Sequence, residues 1–463
     1  MLAQGAGVSA SLGSVQRLRA HLLAQLVCLG RHTVTGLLAT NGQLQRDWTA
    51  DYRLYSRQRI DAAELFGPIR RAAQQSLAPQ EALTVAMDDS ILRKSGRHIP
   101  GVGFRRDPLS PPFHVNFVRG MRFVQLSALV HQQDGFCRMI PIDFQQAPLP
   151  ARPPRHASLE QQQHYKAALA AANINYLGRA RLVTLRQQLD AQAKGPARHL
   201  RVVVDGRFTN AKLLKHLPAN TTLIGRIRRD AKFFFLPQSQ ALTGRKRLYG
   251  QAAPTPEALL ADPSCAFQIV QAQLGARTCQ FKVKALGPLR ALQAGGAQNV
   301  QLLVIAPLGY RLRKGSKLLY RQPAFLICTD PTLSLQTLLQ SYLLRWDIEL
   351  NFRDQKSLLG LGQAQVRNPN SVQLQPAAAV AAYALLLLAA AQANLQALSR
   401  PKWRPDPEPT RLSTASLINL LRHELWNDSI TKGLTHFKSD PGDDHNPRKL
   451  QPDLRSALFY AVA

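Results

Sequence analysis

An α/β protein whose mixed layer is interrupted by a β-rich stretch is the fold class this sequence predicts, and three observations predict it. Apolar strand-like runs at 81–90 and 199–208 are separated by an Ala-, Gln- and Leu-rich stretch at 158–191 that lacks alternation. Short strand-like runs then crowd residues 231–340, and helical patterns return from 338 to about 400. A period of two marks strands and a period near 3.6 marks helices. The order helices, strands, helix, strands, β-rich stretch and helices is that of a helix-covered layer with an all-β insertion.

Taken in order, residues 1–80 read as an N-terminal helical domain. "SVQRLRAHLLAQLVCLG" opens on Ser14 as a capping candidate and spaces Leu18, Leu22, Leu23 and Leu26 at helical intervals. "DAAELFGPIRRAAQQSL" predicts a helix broken near Gly67-Pro68. DNA binding is the expected role of this region, with a purely packing role as the alternative. In "EALTVAMDDS", Leu83, Val85 and Met87 alternate with Thr84, Ala86 and Asp88, which predicts a strand ending at Asp88. "FHVNFV" and "RFVQLSALVH" read as two further strands with a turn at Gly120.

"HLRVVVDGRF" is a buried strand ending at Asp205-Gly206, and "TTLIGRIRR" is another. These complete the first part of the core, 81–230. The β-rich insertion, 231–337, contains "FQIVQAQL", "CQFKVKAL", "VQLLVIAPL" and "AFLICTD"; the helical second part of the core spans 338–400. Within it, the strongly apolar run Ala377 to Ala391 falls short of the ~20 residues that span a bilayer, so a buried helix is expected and no membrane partner. "RPKWRPDPEP" breaks the pattern, and 401–463 is a tail and candidate dimerisation segment.

Charge narrows the partner. The 463 residues carry 59 Lys+Arg against 28 Asp+Glu, a net +31 whose self-repulsion is relieved best by a polyanion. Nucleic acid is the expected one, and "GRIRRDAK", "GRKR" and "YRLRKGSK" are the basic groups that would track it. The five cysteines, Cys28, Cys137, Cys265, Cys279 and Cys328, form no CxxC, which argues against a zinc knuckle or a disulfide framework. His98, His114 and His131 show no metal-ligand spacing. No secretory signal is read at the N-terminus, so a cytoplasmic, nucleoid-associated protein is expected.

The chemistry gathers in "SYLLRWDIELNFRDQKSLLG" (341–360). On a helix, Tyr342, Arg345, Glu349 and Lys356 fall within an arc of about 60°. That face presents a phenol, a guanidinium, a carboxylate and an ammonium. A solvated face with ordinary i,i+4 pairing is the bland alternative, and Tyr342 and Trp346 are poor choices for a wet surface. Phosphodiester hydrolysis with two metal ions needs several carboxylates from separate elements. Asp88 and Asp205 follow apolar strand residues, where a buried carboxylate needs a cation or a partner. Asp89 competes with Asp88, since neighbours on a strand point to opposite faces.

The spacing Y-x2-R-x3-E-x6-K, met by Tyr342, Arg345, Glu349 and Lys356, resembles the Y-R-E-K signature of the DDE transposases of bacterial insertion sequences. "VAMDDS" is similar to that family's first-Asp strand, with Asp88 and Ser90 in the Asp-x-Thr/Ser positions, and "VVVDGRFTN" to its second. The resemblance covers roughly 81–400. It implies an RNase H-like catalytic core, a mixed sheet flanked by helices with a β-rich insertion. Asp88, Asp205 and Glu349 would then hold two Mg²⁺ (Mn²⁺ in substitution), and Tyr342, Arg345 and Lys356 would grip DNA phosphates. It further implies cut-and-paste transposition by a homodimer on the terminal inverted repeats of double-stranded DNA, with joining to target DNA. Members of this group form a DNA hairpin, often with an insertion Trp stacked on a flipped base. Here all four Trp (Trp48, Trp346, Trp403, Trp426) lie outside 231–340, leaving Phe233, Phe234 and Tyr310 as aromatic alternatives. Two other readings are kept: an RNase H-like nuclease without strand transfer, and a decayed transposase that only binds DNA.

Overall fold

The computed structural model describes residues 11–432, apart from 58, 63, 97, 108, 109, 112, 133, 134, 194–196, 239–245, 276, 296, 297, 314 and 394–410. Four helices open the chain: α1 (Leu12–Val27), α2 (Val34–Thr40), α3 (Thr49–Ser56) and α4 (Gly67–Gln75). The cap of α1 lies three residues before the expected one. Ser11 caps it by accepting from the Ser14 amide, and Ser14 is buried in the first turn. At Gly67-Pro68 the break is a beginning, because Pro68 sits in the first turn of α4, where its missing N–H costs nothing.

Next come β1 (Leu83–Arg93), β2 (Gly103–Arg106), β3 (Phe117–His131), β4 (Cys137–Gln146), α5 (Leu159–Ala171), α6 (Ile174–Gln192), β5 (Leu200–Val204), α7 (Ala211–Leu214) and β6 (Thr221–Arg226). Strand β1 pairs antiparallel with β3 and parallel with β5, which pairs parallel with β6. The parallel steps need crossovers, supplied by α5 to α7. This is the mixed, helix-flanked sheet of an RNase H-like core.

Two expectations fail here for the same reason. Strand β1 does not end at Asp88 but runs on to Arg93, and Gly120 is not a turn but lies inside β3 opposite Arg93. Gly120 is needed for close approach, since a Cβ there would stand 2.5 Å from the Leu92 carbonyl oxygen. Strand β4, carrying Pro141, escaped the reading of periodicity; the register shifts between Leu126 and Ser127, beside the proline.

The β-rich stretch supplies β7 (Phe233–Phe234), α8 (Pro256–Ala261), β8 (Gln268–Leu274), β9 (Arg277–Ala291), β10 (Asn299–Ile305), β11 (Gly309–Tyr310), β12 (Leu319–Tyr320) and β13 (Ala324–Cys328). Strand β13 pairs with β6, so β10, β9, β8 and β7 extend the core sheet. Only β11 and β12 form a separate two-stranded sheet among the described residues.

Four helices close the chain: α9 (Leu335–Leu344), α10 (Trp346–Ser357), α11 (Pro369–Gln392) and α12 (Thr414–Lys432). Asn368 caps α11, whose length and composition would suffice to cross a membrane, yet 78% of its most apolar window is buried. It packs in one hydrophobic cluster with Leu18 and Leu22 of α1, Leu54 of α3, Ile69 of α4 and the inner faces of β3 and β4. The N-terminal helices are therefore continuous with the core. Most of the 401–463 tail lies outside the described residues, as do Arg245 and Lys314 of the basic groups.

Candidate active site

Register brings the two aspartates level. Strands β1 and β5 pair in parallel up to Met87↔Val204, and the next residues are Asp88 and Asp205. Asp205 leaves the strand in a tight turn, its Oδ1 accepting from the amides of Arg207 (3.0 Å) and Phe208 (3.3 Å). Burial, then the nearby Asp205 and Asp89 carboxylates, push the Asp88 carboxyl up to about 7.

The same strand separates Asp88 from Asp89. Asp89 is ion-paired with Arg122 (Nε to Oδ2, 2.6 Å) and lies 3.5 Å from Arg207. Two protein cations thus flank Asp89, whereas among the described residues Asp88 has Arg345 alone at 3.5 Å and also feels a second carboxylate, Asp205. A cleft of about 290 Å³ opens here, lined among others by Asp88, Asp205, Ser90, Arg106 and Lys356. The Lys356 ammonium donates to Ser90 Oγ at 2.7 Å, and burial holds its pKa below the usual lysine range.

Glu349 arrives on α10, but a guanidinium stands between it and Asp88. Arg345 Nη2 donates to Glu349 Oε1 at 2.7 Å, and Nη1 lies 3.5 Å from Asp88 Oδ2. The guanidinium centre is 5.8 Å from the Tyr342 ring centre, within cation–π range. Arg345 is only 9% exposed, and its Nε and Nη1 have no hydrogen-bond acceptor among the described residues. Among those residues, no three His, Cys, Asp or Glu side chains stand close enough to hold a metal ion. The reason is local: Arg345 takes up the space between Asp88 and Glu349.

Helix geometry differs from one continuous helix over 341–357. Arg345 is the junction at which α9 ends and α10 begins. Trp346, expected to avoid water, is 58% exposed. What fixes α10 is a buried polar set shared with the sheet and with α11. Asn351 Nδ2 donates to the Met139 carbonyl (2.8 Å), the Tyr383 hydroxyl donates to Asn351 Oδ1 (3.0 Å), and Gln355 Nε2 donates to Gln125 Oε1 (3.0 Å). Gln125 is the β3 residue directly opposite Asp88. These pins were not legible beforehand, and nor was the pairing of Arg122 and Arg207 with Asp89. Their partners lie far away in sequence, and no local spacing marks them.

Six side chains singled out in the sequence thus meet around the middle of β1: Asp88, Asp205 and Lys356 in the cleft, with Tyr342, Arg345 and Glu349 beside it. Asp205 stands close enough to raise the proton affinity of Asp88, and two such carboxylates are a donor set suited to a divalent cation, which relieves that repulsion. No curated protein matches the chain. The sequence does match the DDE superfamily endonuclease family over residues 8–284, more than half of its 463, a span that includes both Asp88 and Asp205. Enzymes of that superfamily typically use divalent metals. An RNase H-like mixed sheet, two level aspartates at its centre and this match together place the chain in the DDE superfamily of endonucleases.

Proposed function

We propose that the protein is a cut-and-paste DNA transposase of the Y-R-E-K group, which cleaves the ends of its own element and joins them to target DNA. The observation that carries this reading is Arg345: a nearly buried guanidinium beside the carboxylates with two donors lacking acceptors. A planar guanidinium whose Nε and Nη1 make no hydrogen bond among the described residues matches the oxygens of a phosphodiester. In this reading Arg345 exchanges Glu349 for a DNA phosphate, and Glu349 is released as an oxygen donor beside Asp88 and Asp205. Lys356 adds a second positive charge over the cleft, and Tyr342 holds the guanidinium from behind. Those three carboxylates would hold two Mg²⁺, or Mn²⁺, which when bound supply charge neutralisation and a more acidic water. Pairing two element ends calls for a dimer.

The interposed Arg345 also supports a second reading, a chain that binds DNA without cutting it. One assay separates them: cleavage of a labelled duplex carrying the element's terminal repeat, in Mg²⁺ and in Ca²⁺, by wild type and Glu349→Gln. Nicking at the repeat boundary in Mg²⁺, lost in Glu349→Gln while binding persists, supports the endonuclease. Joining of the freed end to a second duplex supports transposition over plain hydrolysis. Tight binding without cleavage in Mg²⁺ or Mn²⁺ supports the binder. In every case affinity should fall steeply with salt, by ~0.9 log unit per log unit of salt for each phosphate neutralised.

A further inference from the structure

The β3–β4 hairpin closes on an opposed pair, His131 at the end of β3 and Cys137 at the start of β4. Cys137 Sγ lies 3.3 Å from His131 Nδ1, and the other ring nitrogen, Nε2, lies 2.8 Å from Glu81 Oε1. Glu81 is itself held: its Oε2 accepts from the Ala78 amide at 3.3 Å, and its carbonyl accepts from Arg198. A thiol, an imidazole and a carboxylate thus follow one another, each oriented by the next, which is the arrangement that activates a sulfur nucleophile. Among the described residues, Cys137 is the one cysteine of the five with a histidine nitrogen beside its sulfur. The bond to Cys137 first, and that to Glu81 against partial burial, push His131 up to about 9; a protonated imidazole there favours the thiolate.

The sulfur and the imidazole also form part of the wall of a cavity of about 890 Å³, bounded by this hairpin, the β8–β9 hairpin, α9 and the start of α10. Leu274, Leu343 and Trp346 give it apolar surface, and Gln271, Gln336 and Arg411 give it hydrogen-bonding groups. Walls of that mixture, around a space of that size, suit a small molecule of peptide character. The charged neighbours have partners of their own. Arg411 donates to the Cys137 carbonyl and to Asp347, and Arg138 donates to Gln132 and to the Leu412 carbonyl. The cavity shares no lining residue with the carboxylate cleft, although Glu349 rides on the same first turn of α10 as Asp347.

We propose that Cys137 is a modification site for a small peptide-like disulfide, with His131 as its base, Glu81 as the positioning residue, and the adduct seated in the cavity against the start of α10. The Cys137 thiol gives its proton to His131 Nδ1, and its sulfur bonds to one sulfur of the disulfide. The reagent's S–S bond breaks, and the departing thiolate takes the proton back from His131. Cys137 is oxidised to the mixed disulfide, and one half of the reagent is reduced to a thiol.

The full chain is incubated with glutathione disulfide from pH 6 to 10, and the adduct is located and timed by mass spectrometry. Wild type, Cys137→Ser, His131→Gln and Glu81→Gln are compared; both partners of the thiol are partly exposed, so these variants keep the fold, which circular dichroism checks. The expected result is a first adduct on Cys137, forming at pH 7 ~10-fold or more faster in wild type than in His131→Gln, since a positioned base contributes at least that. The two should converge near pH 10, where a thiol ionises unaided. Glu81→Gln should move the rise in rate to higher pH and keep the same plateau. Hydroxyethyl disulfide, which lacks the peptide groups, should be slower with wild type once scaled to its rate with free cysteine. Thiolation should alter the tryptophan emission of wild type but not of Trp346→Phe. No adduct, a first adduct on Cys265 or Cys279, or equal rates for wild type and His131→Gln at pH 7 would overturn the site. An adduct on Cys137 that leaves Trp346 emission unchanged, or equal scaled rates for the two disulfides, would overturn its seat in the cavity.

Discussion

Replacing Asp88 with asparagine should stabilise the metal-free protein above pH 7 and leave it unchanged near pH 4. Asp88 is pushed from 3.8 up to about 7 by burial first, then by Asp205 and Asp89. A carboxyl whose pKa is higher folded than unfolded binds its proton more tightly in the folded state. Its contribution is fully present below pH 4 and is lost as pH rises through about 7. At 1.36 kcal/mol per pH unit, the gap corresponds to about 4 kcal/mol of destabilisation at pH 8. Little of it is screened, because the side chain is only 17% exposed. Asparagine keeps the oxygen that accepts from the Asp89 amide (2.8 Å) and does not titrate. Arg345 retains Glu349 as its partner. Urea unfolding midpoints in EDTA, followed by circular dichroism from pH 4 to 9, should therefore coincide for wild type and Asp88→Asn at the acid end. They should separate between pH 4 and 7, with the variant more stable by a few kcal/mol above that. Parallel curves, or a variant less stable than wild type at pH 8, would refute the argument that two crowded carboxylates store this energy.

Three further outcomes follow from the same structure. Asp205→Asn removes the charged neighbour that raises Asp88 most, so the pH at which wild-type stability declines should move downward; the same midpoint series reads it. Asn351→Ala should cost about 2–4 kcal/mol in unfolding midpoint, because it leaves the buried Tyr383 hydroxyl and Met139 carbonyl without their partner beneath α10. Cys137 should react first with a chromogenic disulfide, and Cys137→Ser should remove the fast phase. Its Sγ lies 3.3 Å from His131 Nδ1, and His131 Nε2 lies 2.8 Å from Glu81. Burial meanwhile pushes the Cys28 thiol up and that of Cys328 to about 12, which slows both.

How far the sequence reached depends on the range of the interaction concerned. Amphipathic and apolar runs marked β5, β6, β8, β10, β13 and α11, because burial imposes a local period on each. The i,i+4 step of Arg345 and Glu349 held across the α9–α10 junction, because Arg345 keeps right-handed helical dihedrals there. Features set by contacts between distant segments stayed hidden. Gly120 reads as a turn until Leu92 of the neighbouring strand is seen to leave it no room for a Cβ. Asp88 and Asp89 are equivalent as letters; Arg122 on β3 neutralises one, and the register with β5 sets the other against Asp205. The 231–337 stretch reads as an insertion by composition, while its pairing with β6 makes it the outer part of the core sheet. Sequence by itself determined which residue types could do phosphate chemistry and on which kind of element they ride. Tertiary structure decided which of them face one another and that Arg345 stands between two carboxylates, because strand register and helix docking are settled only when the chain closes on itself.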